Sequence, residues 1–149
     1  MITVYKICQE KYSKELSASG VANRWNKRWE FVIYTGQSIA LSTLELVAHR
    51  SGIMISKPYK ILEIEIHEED IVEINLKKLS KNWQSISCYN ILQEIGSEWY
   101  RSRKNLILKV PSAIVPQEFN YIINVNHPDF KKKVKLKKVT DFVWDKRIL

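Results

Sequence analysis

The sequence predicts a single α+β domain spanning residues 1–149. Three observations point there. From Leu62 to His67 the chain alternates: Leu62, Ile64 and Ile66 point one way, Glu63 and Glu65 the other, which is the period of a half-exposed strand. A segment over 87–101 carries Cys88, Leu92, Ile95 and Trp99 on one helical stripe. Short apolar runs at 31–34, 105–110 and 121–125 end at turn-forming residues and read as further strands. Strands and helices mixed without a regular βαβ alternation, and with no repeat, linker or low-complexity tract, indicate one α+β unit.

Taken in order, Ile2 to Ile7 is a strand. The mostly polar stretch from Cys8 to Asn23 is a loop with a helical turn near 12–16. Phe31 to Tyr34 is a fully apolar, central strand, turned by Thr35 and Gly36. A helix runs from Gln37 to Arg50, with Gly52 as its left-handed cap. Lys60 to His67 is the alternating strand, and 71–76 is strand-like. The second helix is interrupted by Gly96, which costs propensity and allows close packing. Asn105 to Val110 is a strand stopped by Pro111, and 112–120 is an ordered loop. Tyr121 to Val125 is a strand, and 126–129 a turn that sets Phe130 into the core. Val134 to Val139 mixes lysine with apolar residues, as an edge strand does to discourage unwanted pairing.

Composition bounds the class. The chain is 45% apolar and 27% charged, ordinary for a globular domain. No apolar run reaches the roughly 18–20 residues that span a bilayer. The N-terminal residues lack the features of a signal peptide, so a cytoplasmic, non-membrane protein is expected. Cys8 and Cys88 are far apart and read as free thiols. The histidines, His49, His67 and His127, are scattered, so no metal is expected. The net charge of +8 favours anionic partners without choosing among them.

The stretch from Arg24 to Glu45 holds the residue types that chemistry on a phosphate-bearing nucleoside needs. Arginine grips phosphate through a planar fork of donors. Tyr34 offers a flat face and a hydroxyl. Glu45 can stabilise a sugar cation or activate a water. The same residues also fit an ordinary reading: Arg24 as a surface cation, Tyr34 as a half-buried strand residue, and Glu45 on a solvated helical stripe with Ser38, Ser42 and His49.

An ordered set of motifs favours the first of these readings: Arg24-Trp25-Asn26, then Val32-Ile33-Tyr34, then Leu44-Glu45 with His49. Ile95-Gly96-Ser97-Glu98-Trp99 follows. Last come the block from Val110 to Tyr121, around Pro111-Ser112-Ala113, and the stretch Asn124 to Phe130. Over nearly its whole length the chain resembles the RES-domain family, toxins of bacterial toxin–antitoxin pairs. The resemblance implies a fold like that of the ADP-ribosyltransferases, with two small sheets flanked by helices and an NAD cleft between them. It implies NAD as substrate, cleaved between nicotinamide and ribose, either to water, as an NAD glycohydrolase that arrests growth, or to a protein acceptor, as an ADP-ribosyltransferase.

Under that resemblance Glu45 stabilises the ribosyl cation. Arg24 holds the pyrophosphate with Lys6 as a weaker helper. Tyr34 packs against or orients the nicotinamide ribose, and Ser112 hydrogen-bonds the nicotinamide end or the ribose. Trp25 and Asn26 line the cleft, with the core an equal place for Trp25. A helix-turn-helix antitoxin of the Xre type is the implied partner, in a hetero-oligomer. The chain departs from the family where glycines usually precede the arginine (Ala22 and Asn23 here) and where a glycine usually lies three residues past the asparagine (Trp29 here). It also has Lys6 in place of an arginine on the first strand. A basic nucleic-acid-binding module built on the C-terminal lysines is the alternative from another class. It leaves Arg24, Tyr34 and Glu45 without a role.

Overall fold

The computed structural model describes residues 1–49 and 53–148. Seven strands form one mixed sheet: β1 (Ile2–Gln9), β2 (Val32–Gly36), β3 (Tyr59–Ile66), β4 (Ile71–Glu73), β5 (Ile107–Pro111), β6 (Phe119–Asn124) and β7 (Lys135–Phe142), in the order β4-β5-β6-β2-β1-β3-β7. Neighbours are antiparallel except β4 and β5. The helices are α1 (Ile39–Ala48), α2 (Tyr89–Ser102) and the single turn α3 (Phe130–Lys133).

One sheet replaces the two that were expected, and the pairing explains the difference. β1 pairs with β3 along its whole length, and β2 pairs with β6 from Val32 to Gly36. Between β1 and β2 the register holds only at Tyr5 and Gly36. The sheet is therefore continuous but pinned at one point in its middle. From that pin β1 and β2 diverge and leave a wedge.

Both faces of the sheet are covered. Along β6, Ile123 joins one core with Val4, Ile64, Ile107 and Phe130, while Ile122 joins the other with Trp25, Trp83, Leu92, Trp99 and Leu108. Adjacent residues of a strand point to opposite faces, so the run from Tyr121 to Asn124 is buried on both. The alternation in β3 falls as expected: Leu62, Ile64 and Ile66 are buried, and Glu65 faces Lys137 on the edge strand β7 at 3.7 Å.

Several boundaries move for identifiable reasons. The first helix begins two residues later than expected. Gln37 is held by the sheet: its N–H donates to the Phe119 carbonyl and its side-chain oxygen accepts from Phe119 N–H. Ser38 then caps α1, its hydroxyl accepting from Leu41 N–H at 3.0 Å. The expected cap at Gly52 lies outside the described residues. The helical turn expected near 12–16 is a 3-10 turn at Glu10–Tyr12. β6 starts at Phe119, inside the expected loop, because Pro111 and Phe119 still pair across to β5. Gly96 packs α2 against the Trp25 backbone so closely that a Cβ there would lie 1.6 Å from the Trp25 carbonyl oxygen.

Candidate functional site

The wedge between β1 and β2 opens into a cleft of about 510 Å³. β1, β2, α1, the 23–25 loop, the turn before α2 and the loop after β5 all contribute to its walls. Its volume is that of a small-molecule site.

Glu45 reaches the cleft from α1, and its Oε2 accepts a hydrogen bond from the side-chain amide of Asn120 on β6. The helix can approach because Gly36, at the pin, has no side chain: a Cβ there would lie 2.6 Å from Ser42 Oγ. The Ser42 hydroxyl lies 3.0 Å from the Tyr5 carbonyl and 2.9 Å from that of Ser38, as a donor. The position of Glu45 is thus set by contacts of α1 with both strands.

Arg24 sits across the cleft. Its backbone N–H donates to Asn23 Oδ1 at 2.8 Å. Its guanidinium donates to the Gln84 carbonyl at 2.9 Å and lies 4.7 Å from the centre of the Tyr89 ring. These contacts aim the fork and leave it without a carboxylate partner among the described residues, a state suited to an incoming anion. Gln84 also donates to the Ala113 carbonyl at 3.0 Å, tying the turn before α2 to the loop after β5.

Tyr34 is fixed at both ends of its hydroxyl. It donates to Asn26 Oδ1 at 2.6 Å and accepts from Trp25 N–H at 3.1 Å. Burial, as the largest cause, holds its pKa well above the ordinary tyrosine value, so the hydroxyl stays protonated. Asn26 is buried, and its amide nitrogen donates to the carbonyls of Val21, Lys27 and Glu30. It shapes the loop from behind and does not line the cleft. Trp25 is buried in the core and also forms part of the cleft wall.

Lys6 lies on β1 where the wedge begins. It forms no ion pair among the described residues, and burial pushes its ammonium pKa down. Ser112 is fully buried, with its hydroxyl oxygen accepting from the N–H groups of Ile114 and Val115 at 3.1 Å each. Its neighbours Pro111, Ala113 and Ile114 line the cleft and Ser112 itself does not. Of the sequence candidates, Lys6, Arg24, Trp25, Tyr34 and Glu45 are brought together, whereas Asn26 and Ser112 stand behind the wall. Among the described residues no three His, Cys, Asp or Glu side chains group as metal ligands, and no helix is long and apolar enough to cross a membrane.

Two residues of the site were not foreseen. Asn120 falls at the end of the stretch expected to be an ordered loop. The signal available was an amide directly before the apolar run Tyr121-Ile122-Ile123, where an unpartnered polar group is costly. Tyr89, the ring under Arg24, had no signal, because nothing local relates residues 65 apart.

The family profile described as RES domain matches residues 3–145. The chain belongs to the RES domain family. It is 30% identical over 150 residues to "Toxin Res" of Photorhabdus laumondii, covering 98% of this chain and 96% of that protein. It is 31% identical over 141 residues to the "Prs ADP-ribosylating toxin" of Sphingobium sp., covering 91% and 87%. In fold, this RES domain is similar to a chain of the crystal structure of the M. tuberculosis MbcT–MbcA toxin–antitoxin complex. The TM-score is 0.79 at 14% identity, over 95% of this chain and 84% of that one.

Proposed function

We propose that this RES domain is the toxin of a toxin–antitoxin pair and that it breaks the bond between nicotinamide and ribose of NAD in the β1–β2 wedge. The observation that carries the reading is the Glu45 carboxylate, fixed by Asn120, in the same cleft as an Arg24 guanidinium that has no carboxylate partner among the described residues. One group suits developing positive charge on a sugar, the other a pyrophosphate. The relatives' names support toxin action, and the Sphingobium name supports use of an ADP-ribose donor.

The chemistry follows from charge. Nicotinamide in NAD is a pyridinium. When its glycosidic bond breaks, the electron pair goes to the ring nitrogen and the base leaves neutral, so no general acid is needed. Positive charge builds on the ribose, and Glu45 stabilises it. Water then adds at the anomeric carbon and gives up a proton, with Glu45 orienting it. Arg24 and Lys6 hold the phosphates. Tyr34, locked by Asn26 and Trp25, packs against the sugar, and Ser112 acts through the shape of the 111–114 loop. Transfer of ADP-ribose to a protein uses the same bond cleavage with another acceptor. The 31% identity to an ADP-ribosylating toxin favours that second reading.

The proposed partner is an antitoxin of the helix-turn-helix type, acting with the toxin in the cytoplasm. Support comes from the fold shared with a chain solved in a toxin–antitoxin complex, and from exposed Ile86 and Ile114 at the cleft mouth. The test is NAD loss with purified protein and with Glu45→Ala. Nicotinamide released by the first and not the second supports the cleavage. Free ADP-ribose marks hydrolysis, and labelled protein in lysate marks transfer. No nicotinamide release in buffer or in lysate ends the proposal.

A further inference from the structure

The wedge does not end at the cleft that holds Glu45. Past Lys6 it continues into a second lobe, also of about 510 Å³, between β1, β2, β3 and the 12–21 loop. The two lobes share Lys6, Asn23, Tyr34 and His49. They adjoin with an ammonium at the seam, an arrangement that suits a dinucleotide: two nucleoside halves joined by a charged bridge. A mononucleotide would fill only one of the two lobes.

The second lobe has its own chemistry. Ile33 and Leu62 are among its apolar walls, and Tyr12, 57% exposed, offers a ring at its side. Glu15 and the serines at 17 and 19 supply acceptors and hydroxyls. Lys6 is the only lysine or arginine in its lining among the described residues. An apolar slot beside an aromatic ring suits a purine, and a carboxylate suits the two hydroxyls of an unmodified ribose. In dinucleotide sites an acidic residue takes the 2′-hydroxyl, whereas an arginine accommodates a 2′-phosphate. Here a 2′-phosphate meets Glu15, with Lys6 at the seam the only cation in the described lining and the Lys11 ammonium outside it, 4.9 Å from the Tyr12 ring centre.

We infer that the second lobe takes the adenosine end of NAD, with Tyr12 against the base and Glu15 selecting a free 2′-hydroxyl over the 2′-phosphate of NADP. The inference rests on the proposed NAD reading of the first lobe. Its test uses a ligand without the scissile bond.

ADP and its 2′-phosphorylated counterpart are titrated into the full chain by calorimetry. ADP is expected to bind at least about tenfold more tightly than the 2′-phosphorylated form. Tyr12→Ala is expected to weaken ADP by about tenfold, the usual scale for losing one base–aromatic stack. Glu15→Arg is expected to shrink the preference for ADP by at least about tenfold, because one site charge reverses sign. Both side chains lie at the surface, so folding survives each change. Failure of ADP to bind, or either variant leaving its own readout unchanged, overturns the inference. ADP bound as expected with no NAD cleavage would remove the reaction and keep the adenosine lobe. NAD cleaved without ADP binding would remove only the lobe.

Discussion

Asn120 and Glu45, 75 residues apart in sequence, are joined side chain to side chain in the cleft wall, from β6 to α1. Asn120 is buried on β6 and its own strand is locked on both sides, so the amide is a fixed donor aimed at a movable carboxylate. Asn120→Ala is expected to lower kcat for NAD cleavage by about 10- to 100-fold, the scale of losing the position of one catalytic group. KM should change little. Glu45→Ala is expected to cost about 100-fold or more. The informative measurement is the double variant. If Asn120 acts through Glu45, adding Asn120→Ala to Glu45→Ala costs nothing further. A multiplicative loss would show that Asn120 contacts substrate independently.

Gly96 sets the distance between α2 and the arginine loop. Its absent Cβ would overlap the Trp25 carbonyl, and a backbone carbonyl cannot swing aside as a side chain can. Gly96→Ala is therefore expected to destabilise by about 3 kcal/mol or more, the upper range for overpacking. Thermal melting should show a midpoint lowered by about 6–12 °C. An alanine variant melting with the wild type would mean that α2 does not pack this closely.

Position 29, where the resemblance leads one to expect a glycine, has a backbone that suits one. Trp29 has φ of 69°, in the left-handed region that side chains resist. Its N–H donates to the Gly20 carbonyl at 2.8 Å, which closes the loop around Asn26 and holds it there. Trp29→Gly and Trp29→Ala both delete an exposed ring, so their difference isolates the backbone. Glycine is expected to be the more stable by about 0.5–1 kcal/mol: about 1–2 from relief of the left-handed cost, less its extra freedom when unfolded. Denaturant midpoints of the two variants decide it, and alanine above glycine would refute the strain.

Most of the fold was legible because it is local. The β3 alternation, the α2 stripe and the lysine-bearing edge strand are periodicities, and each appears where expected. The single sheet was not legible, because it depends on one cross-strand pair, Tyr5 with Gly36, that no local pattern encodes. In the site, Lys6, Arg24, Trp25, Tyr34 and Glu45 were named from residue type and motif, and they share a cleft. Ser112 and Asn26 carry motif positions yet spend their polar atoms on neighbouring backbone or on Tyr34. A sequence does not reveal whether a polar group faces a ligand or the chain behind it. Asn120 was passed over for the converse reason, since its partner lies on another element.

Lys6 gives the pH dependence. Burial, the larger cause, lowers its folded-state pKa, and the neighbouring Cys8 opposes this only in part. Unfolded, the lysine titrates near its ordinary value of 10.5. Below the lowered folded value both states hold the proton, and folding carries the whole cost of partly burying a charge that has no ion-pair partner among the described residues. Between the two values the folded protein has released its proton while the unfolded chain still binds one, so stability rises with pH. Lys6→Met is therefore expected to be more stable than the wild type at pH 7, with the gap narrowing toward pH 10.5. Urea midpoints across that range measure it, and a constant gap would show that Lys6 is not the group responsible. The same variant is expected to raise KM for NAD, because a phosphate at the seam is what offsets the buried charge. Stability gained and affinity lost from one substitution would mark Lys6 as kept for its ligand at the expense of the fold.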